Sequence, residues 1–257
     1  MKTIAILNLK GGVAKTTTAI NMAAIMATEH NQRVLLVDAD SQGDVTKTLL
    51  PPGEYSTIAD LLLGDGRYIG DLLYPSAVRG LDVVPSDFRL SVVGMPNVNG
   101  GRYSQRALAD LRDCAIEDER YDYMLIDCPS SFIHPGCQAA LMAADEIIIP
   151  VKADAYSISG AGELAEQVEC LRTVNPALKV AGCLLTMYYR DEYVDRAIGK
   201  LMERVPVPVF NTRVRRSAKA DGGTEAAAGI MAYSPRSAIA RDYRAFVAEY
   251  IGGAHNG

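Results

Sequence analysis

Short apolar runs alternate with longer amphipathic stretches along this chain. The runs at residues 3–7, 33–38 and 121–129 are rich in β-branched and aliphatic side chains, and they have the length of buried strands. Further candidate strands lie at residues 81–85, 146–150, 180–187 and 207–210. Strands that alternate with helices form parallel sheets, so the pattern predicts an α/β fold with a doubly wound, mostly parallel sheet.

Amphipathic spacing predicts helices between these strands. They are expected at residues 18–26, 57–63, 105–116, 157–174, 192–203 and 237–251. Ser56 precedes the second of them, and we expect it to cap that helix because serine is a favourable N-cap residue. The chain has 257 residues and 49% apolar content, and no linker divides it. We therefore expect residues 1–257 to form a single domain.

The most informative motif lies between the first strand and the first helix, at residues 9–17, LKGGVAKTT. A strand, a glycine loop and a helix form the context in which such a loop binds phosphate. Backbone amides and the helix dipole favour a polyphosphate there. Lys15 is expected to reach the terminal phosphates of a nucleotide, and the Thr16 hydroxyl is expected to ligate Mg²⁺.

Carboxylates follow two other candidate strands, at the edge where ligands bind in open α/β sheets. Asp127 is expected to act on Mg²⁺ through a water molecule. Asp40 is the candidate base that orients and deprotonates a water in line with the γ-phosphate. Asp38 is nearer to its strand and is the weaker candidate for the base; we expect it to hold either the loop or an outer water molecule. The alternative for Asp127 and Asp40 is a capping role alone.

Composition excludes several classes of protein. No apolar run approaches the roughly 18 residues of a membrane span, and the chain enters its first strand without room for a signal peptide. A cytoplasmic location is therefore expected. The five cysteines, an odd number without a Cys-x-x-Cys pair, indicate buried thiols rather than disulfides or a metal site.

The net charge of −5 is unevenly distributed. Residues 186–244 contain eleven Lys and Arg against seven Asp and Glu, a surplus of +4, so the rest of the chain carries −9. This surplus indicates a local basic surface that contacts DNA phosphates, with an ordinary solvated charged face as the alternative. Four candidate DNA-contacting residues are expected in one loop: Arg213, Arg215, Arg216 and Lys219.

The glycine loop resembles the deviant Walker A motif of the ParA/MinD group of P-loop ATPases. In that motif a signature lysine precedes the glycines, and Lys10 occupies its place. Residues 38–46, DADSQGDVT, resemble the Asp-x-Asp-Pro-Gln-Gly-Asn motif of the ParA branch, and residues 127–131, DCPSS, resemble the end of its Walker B strand. Similar segments at residues 186–188, 209–212 and 233–237 extend the resemblance over nearly the whole chain.

This resemblance implies an ATPase that partitions plasmids, chromosomes or mobile elements. ATP would drive a sandwich homodimer that binds non-specific DNA of the nucleoid, and a ParB-like partner would stimulate hydrolysis and release. Lys10 would reach the phosphates of the other subunit, and would form the catalytic set together with Lys15 and Asp40. The implied nucleotide-binding residues are Lys10, Gly11, Gly12, Val13, Ala14, Lys15, Thr16, Thr17, Met187 and Arg215. Further DNA contacts, near the dimer edge, would come from Arg190, Arg236 and Arg241.

Some residues depart from the family pattern. Ala14 replaces a common glycine, which we expect to be tolerated if the backbone there is helical. Ser41 and Asp44 replace Pro and Asn, and residues 215–223 lack the Pro and the Glu-Ala-Pro run of many relatives. No helix-turn-helix segment precedes the glycine loop, so the chain resembles the short type of ParA.

Three other functions remain open. The first is a MinD-like membrane switch, or another protein-positioning ATPase without DNA binding. Membrane binding would need a basic amphipathic helix at the C-terminus. Residues 248–257 break at two adjacent glycines and contain no Lys or Arg. An electron-transfer protein resembling the nitrogenase iron protein would need two suitably placed cysteines, for which Cys128 and Cys137 are candidates. An ATP-dependent ligase or kinase on the same fold is the third.

Overall fold

A computed structural model describes residues 1–64, 69–153, 161–204, 207–220 and 229–253. Its sheet has eight strands in the order β3-β4-β2-β5-β1-β6-β7-β8. Every strand pairs in parallel except β3, which is antiparallel to β4. The strands are β1 Lys2–Ile6, β2 Val34–Asp38, β3 Tyr74–Pro75, β4 Leu81–Val84, β5 Tyr123–Asp127, β6 Glu146–Lys152, β7 Lys179–Tyr188 and β8 Val209–Arg215.

Helices connect the strands and cover both faces of the sheet. The described α-helices are α1 Lys15–Glu29, α2 Asp44–Leu49, α3 Ile58–Leu63, α4 Ala107–Glu117, α5 Pro135–Ala143, α6 Ala161–Val174, α7 Glu192–Arg204, α8 Ile230–Tyr233 and α9 Ala238–Gly252. Short 3-10 helices lie at Ile69–Leu72, Phe88–Ser91 and Asn99–Gly101. The predicted α/β fold with a doubly wound, mostly parallel sheet is confirmed.

The core has one layer on each face of the sheet. In β1, Ile4 and Ile6 lie in the apolar cluster formed with α1 and α9, whereas Ala5 lies in the cluster formed with α4 and α5. This alternation follows from the two-residue period of a strand. Because both faces are covered, the central strands are apolar throughout, which is why they read as unbroken apolar runs in the sequence.

The structure corrects several predicted boundaries. Helix α3 is capped by Thr57 rather than Ser56: the Thr57 side chain accepts a hydrogen bond from the Ala59 amide at 3.3 Å, and Asp60 accepts one from the Thr57 amide at 2.8 Å. Two adjacent hydroxyl residues compete for this role, and the reciprocal bond from Asp60 three residues later favours Thr57. Helix α1 begins at Lys15 rather than at residue 18.

Two further expectations need correction. Strand β8 extends to Arg215, so Arg213 and Arg215 lie on a strand rather than in a loop. Cys114 and Cys170 are exposed, whereas the other three cysteines are buried thiols as expected. Residues 157–160 of the predicted helix at 157–174, residues 221–223 and the tail at 254–257 lie outside the described residues.

Within the described ranges, we find no helix that combines the length and the apolar composition needed to cross a bilayer.

Candidate functional site

The glycine loop between β1 and α1 is fixed at both ends by buried polar side chains. Asn8 accepts a hydrogen bond from the Lys10 amide at 2.9 Å and donates one to the Pro150 carbonyl at 2.7 Å. From β7, the Thr186 hydroxyl donates to the Val13 carbonyl at 3.0 Å. These bonds fasten the loop to β6 and β7, so its shape is set by the sheet.

Backbone conformation in this loop is left-handed at two positions. Gly12 has a φ of 69°, and Ala14, directly before α1, has a φ of 65° and a ψ of 35°. The condition on which we expected Ala14 to be tolerated, a helical backbone, is therefore not met. An alanine in this region is strained by contact between Cβ and the following carbonyl, at a cost of roughly 1–2 kcal/mol.

Lys15 is held inside the loop. Its Nζ donates to the Lys10 carbonyl at 3.3 Å and to Ser130 Oγ at 2.5 Å, and the residue is only 8% exposed. Burial lowers the pKa of this ammonium, while the carboxylates of Asp127 and Asp40 oppose the shift. The ammonium is thus placed where an anion that enters the loop meets it.

Thr16 and Asp127 join the start of α1 to the end of β5. Thr16 Oγ1 donates to Asp127 Oδ2 at 2.7 Å. Burial, and secondarily the charge of Asp38, raises the pKa of the Asp127 carboxyl well above its ordinary value. Asp127 Oδ1 is buried and has no hydrogen-bond partner among the described residues. A hydroxyl beside an incompletely satisfied carboxylate fits a hydrated Mg²⁺, which binds few protein oxygens and keeps several waters.

Asp38 is fully buried and committed to a structural contact. Its Oδ2 accepts from the Thr46 amide at 2.9 Å and from the Thr46 hydroxyl at 2.7 Å, and so holds the start of α2. Burial raises the pKa of Asp38 to about 7. This geometry agrees with the expectation that Asp38 holds the loop.

Asp40 lies two residues beyond the end of β2 and is partly exposed. Its Oδ1 accepts from the Gln42 amide at 3.0 Å. The loop is seated directly on α5, because a Cβ at Gly136 would lie 2.1 Å from the Ala39 carbonyl oxygen. His134 caps α5. Burial lowers the pKa of His134, although the nearby Asp40 charge opposes the shift. The carboxylate is therefore held at the same edge as Lys15 by rigid neighbours.

A pocket of about 370 Å³ opens beside the glycine loop. Met187 and Arg215, both predicted as nucleotide-binding, line it together with Ala14 and Thr17. Arg215 is held by Asp242, with Nε to Oδ2 at 2.6 Å and Nη2 to Oδ1 at 2.7 Å. A larger cavity of about 640 Å³ lies beside α2 and α3, and its described lining contains no glycine-loop residue.

The predicted basic residues differ in their partners. Arg213 pairs with Asp195 at 2.7 Å and lies 5.1 Å from the Tyr188 ring centroid, and Arg215 is bound to Asp242. Lys219 lies 5.8 Å from the centroid of the Tyr233 ring. Four exposed arginines complete the set: Arg190, Arg216, Arg236 and Arg241. The ion pairs with Asp195 and Asp242 reduce the net charge that Arg213 and Arg215 present to solvent, and the assignment of these two arginines to DNA binding stays a prediction.

Several residues of the site were missed by sequence reasoning. Ser130 contacts Lys15, Thr186 anchors Val13, and Asp242 binds Arg215. Each partner is more than 25 positions away along the chain, so no local motif joins them. The available signal was the family resemblance of residues 127–131 and 186–188, which include Ser130 and Thr186 but to which no role was assigned.

Comparison with known proteins supports the same interpretation. The AAA domain family AAA_31 matches residues 1–180. The chromosome partitioning protein ParA of Caulobacter vibrioides is 36% identical over 204 residues, which cover 78% of this chain and 74% of that protein. A ParA family protein of Chlamydia trachomatis is 30% identical over 254 residues, which cover 98% of each. Among solved structures, cobyrinic acid a,c-diamide synthase of Mycobacterium smegmatis with bound ADP and magnesium has a TM-score of 0.78 and 28% identity, covering 98% of this chain and 96% of that one.

Replacing Ala14 with glycine relieves the left-handed strain. We expect Ala14→Gly to raise the free energy of unfolding by about 0.5–1 kcal/mol, since glycine adopts this conformation without penalty but gains entropy in the unfolded chain. Urea denaturation measures the change. The control is Ala248→Gly, an exposed position inside α9, which should lower stability by about 1 kcal/mol. A loss of stability in both variants would contradict the inference that the Ala14 backbone is strained.

The raised pKa of Asp38 predicts a pH dependence of stability. Between the ordinary aspartate pKa of about 3.9 and the folded value of about 7, the folded chain binds more protons than the unfolded one. The stability that the protonated Asp38 carboxyl contributes is therefore fully present below about pH 4 and is lost as the pH rises through 7. Asp38→Asn keeps an acceptor for Thr46 but cannot ionise, so unfolding free energies should fall less between pH 4.5 and 8 than in the wild type. Urea denaturation at both pH values checks this, and equal falls in the two proteins would contradict it.

Proposed function

The chain belongs to the ParA family of P-loop ATPases, and from this membership we propose that it is a DNA-partitioning ATPase that switches between nucleotide states. The observation that carries the proposal is the convergence of Lys15, Thr16 and Asp127 on one loop, with Lys10 at its start. The relatives named as ParA support the partition role. Phosphate binding, hydrolysis and DNA binding are then properties of one molecule in its ATP state.

ATP and Mg²⁺ are the ligands that this donor set fits. The loop amides and the Lys15 ammonium would bind the β- and γ-phosphates, and the Thr16 hydroxyl would ligate the metal, with Asp127 acting through a water. When bound, Mg²⁺ supplies positive charge to the phosphate oxygens. The pocket lined by Met187 and Arg215 accommodates the adenine and ribose, as its volume and position beside Thr17 allow.

Asp40 is the better of the two candidate bases. Both oxygens of Asp38 face backbone or hydroxyl donors, and that carboxyl is fully buried. Asp40 is partly exposed and is held by Gln42 at one oxygen, so its other oxygen can accept a proton from an attacking water. Lys15 would stabilise the negative charge that develops on the transferred phosphoryl group, and Lys10 of a second subunit would add a further charge. Hydrolysis would then depend on dimerisation.

DNA binding would come from the exposed arginines of the dimer. Arg190 follows β7 and Arg216 follows β8, so both lie at the carboxyl edge of the sheet. A backbone hydrogen bond ties the two segments together, since the Arg216 amide donates to the carbonyl of Tyr188, two residues before Arg190, at 2.9 Å. Dimerisation doubles this pair and brings more phosphate contacts to one surface, which raises affinity strongly at moderate salt.

The alternatives predict different partners. The likeness to cobyrinic acid a,c-diamide synthase keeps an ATP-dependent ligase as the second candidate, and substrate-dependent turnover without DNA would favour it. A bridging metal cluster is disfavoured because Cys128 and Cys137 are buried and burial raises the pKa of both thiols. A MinD-like membrane switch would show as flotation of the protein with liposomes in the presence of ATP.

The test is binding to non-specific duplex DNA at moderate salt with no nucleotide, with ADP, and with ATP and Mg²⁺. We expect binding only with ATP and Mg²⁺, and its loss in Lys10→Ala and Lys15→Ala. The double variant Arg190→Ala/Arg216→Ala should bind roughly tenfold or more weakly, with a smaller salt dependence, because two phosphate contacts per subunit disappear.

The matched control is Lys179→Ala, which removes an exposed cation at the opposite edge of the sheet, where β7 begins. It should bind DNA as the wild type does. Binding that ignores the nucleotide, or that survives Lys15→Ala, would overturn the proposed switch. Absence of binding in every state would favour a protein-positioning or metabolic ATPase.

A further inference from the structure

Ser130 makes a direct contact with the glycine-loop lysine. It lies three residues beyond Asp127, in the segment that joins β5 to α5, and its Oγ accepts a hydrogen bond from Lys15 Nζ at 2.5 Å. Ser130 is exposed, whereas Lys15 is almost completely buried. The hydroxyl therefore meets solvent at the mouth of the loop, with the ammonium behind it.

The ammonium depends on this contact because its other acceptor among the described residues is more distant. The Lys10 carbonyl lies 3.3 Å from Nζ, at the long end of the range for such bonds, whereas Ser130 Oγ is at a short distance. An ammonium has three donors, and these two oxygens satisfy two of them among the described residues. The third donor remains for a phosphate oxygen.

The position of Ser130 is fixed by its neighbours. On one side, the Cys128 amide donates to the Ile6 carbonyl of β1 at 3.2 Å, and Pro129 restricts the backbone between that bond and Ser130. On the other side, the His134 amide donates to the Ser131 carbonyl at 3.3 Å, and α5 is seated on the Ala39 carbonyl through Gly136. The hydroxyl is thus held by the same sheet edge that carries Asp127 and Asp40.

We propose that Ser130 is a positioning residue for Lys15, which fixes the ammonium so that its remaining donor points at the terminal phosphates of the nucleotide. This inference rests on the proposed function, since it assumes that the loop binds ATP. A flexible lysine loses side-chain entropy when it binds phosphate, and a lysine that is already held loses less. Ser130 therefore raises the affinity for ATP without touching the nucleotide itself.

The experiment measures the dissociation constant of a non-hydrolysable ATP analogue with Mg²⁺ by titration calorimetry. Ser130→Ala should weaken binding about tenfold, because it removes a hydrogen bond to a charged group and frees the ammonium. Ser130→Thr retains the hydroxyl and should bind within about twofold of the wild type. Urea unfolding of the three proteins confirms that each is folded under the conditions of the titration.

Ser131→Ala is the matched control, since it removes a neighbouring hydroxyl on the same segment. It should bind the analogue as the wild type does. Unchanged binding by Ser130→Ala, an equal loss in Ser131→Ala, or failure of Ser130→Thr to restore affinity would each overturn the role of Ser130 while leaving the nucleotide site in place. A wild-type protein that does not bind the analogue would instead overturn the proposed function and this inference with it.

Discussion

The in-register pairing of β1, β2 and β5 is the constraint on which the rest of the site depends. Asp127 at the end of β5 is level with Ile6 on one side and with Asp38 on the other. Because parallel strands end at a common edge, the glycine loop after β1 and the carboxylates after β2 and β5 are brought to one place. A shift of a single residue in this register would turn Asp38 and Asp127 to opposite faces and separate them from Thr16.

That convergence has an electrostatic cost, which accounts for much of the site's detail. Asp38 and Asp127 are both buried, and burial raises the pKa of each; the charge of Asp38 raises the pKa of Asp127 further, and the charge of Asp40 raises both. Thr46 and Thr16 satisfy part of this polarity through hydrogen bonds, and the Lys15 ammonium supplies the opposing charge. Bound Mg²⁺ and phosphates would complete the balance, so affinity for these ligands and local instability of the ligand-free site have the same origin.

The sequence predicted the features that depend on local pattern. Strand and helix alternation, the glycine loop and the acidic strand ends follow from periodicity and spacing, and the structure places them as expected. The sequence did not predict features that depend on a tertiary contact or on a choice between neighbouring residues. The Ala14 backbone is fixed by the loop that Thr186 anchors, and Thr57 rather than Ser56 caps α3 because Asp60 bonds to it in return. Pairing of Arg215 with Asp242 and of Lys15 with Ser130 joins distant segments, and no short-range signal encodes such pairs.

A crystal structure with a non-hydrolysable ATP analogue and Mg²⁺ would test the proposed nucleotide site directly. We expect phosphates within the loop at residues 9–17, a metal bound by Thr16 Oγ1 with Asp127 joined through a water, and the adenosine in the pocket lined by Met187. Phosphates that bind outside this loop, or a metal that does not contact Thr16, would contradict the proposed site.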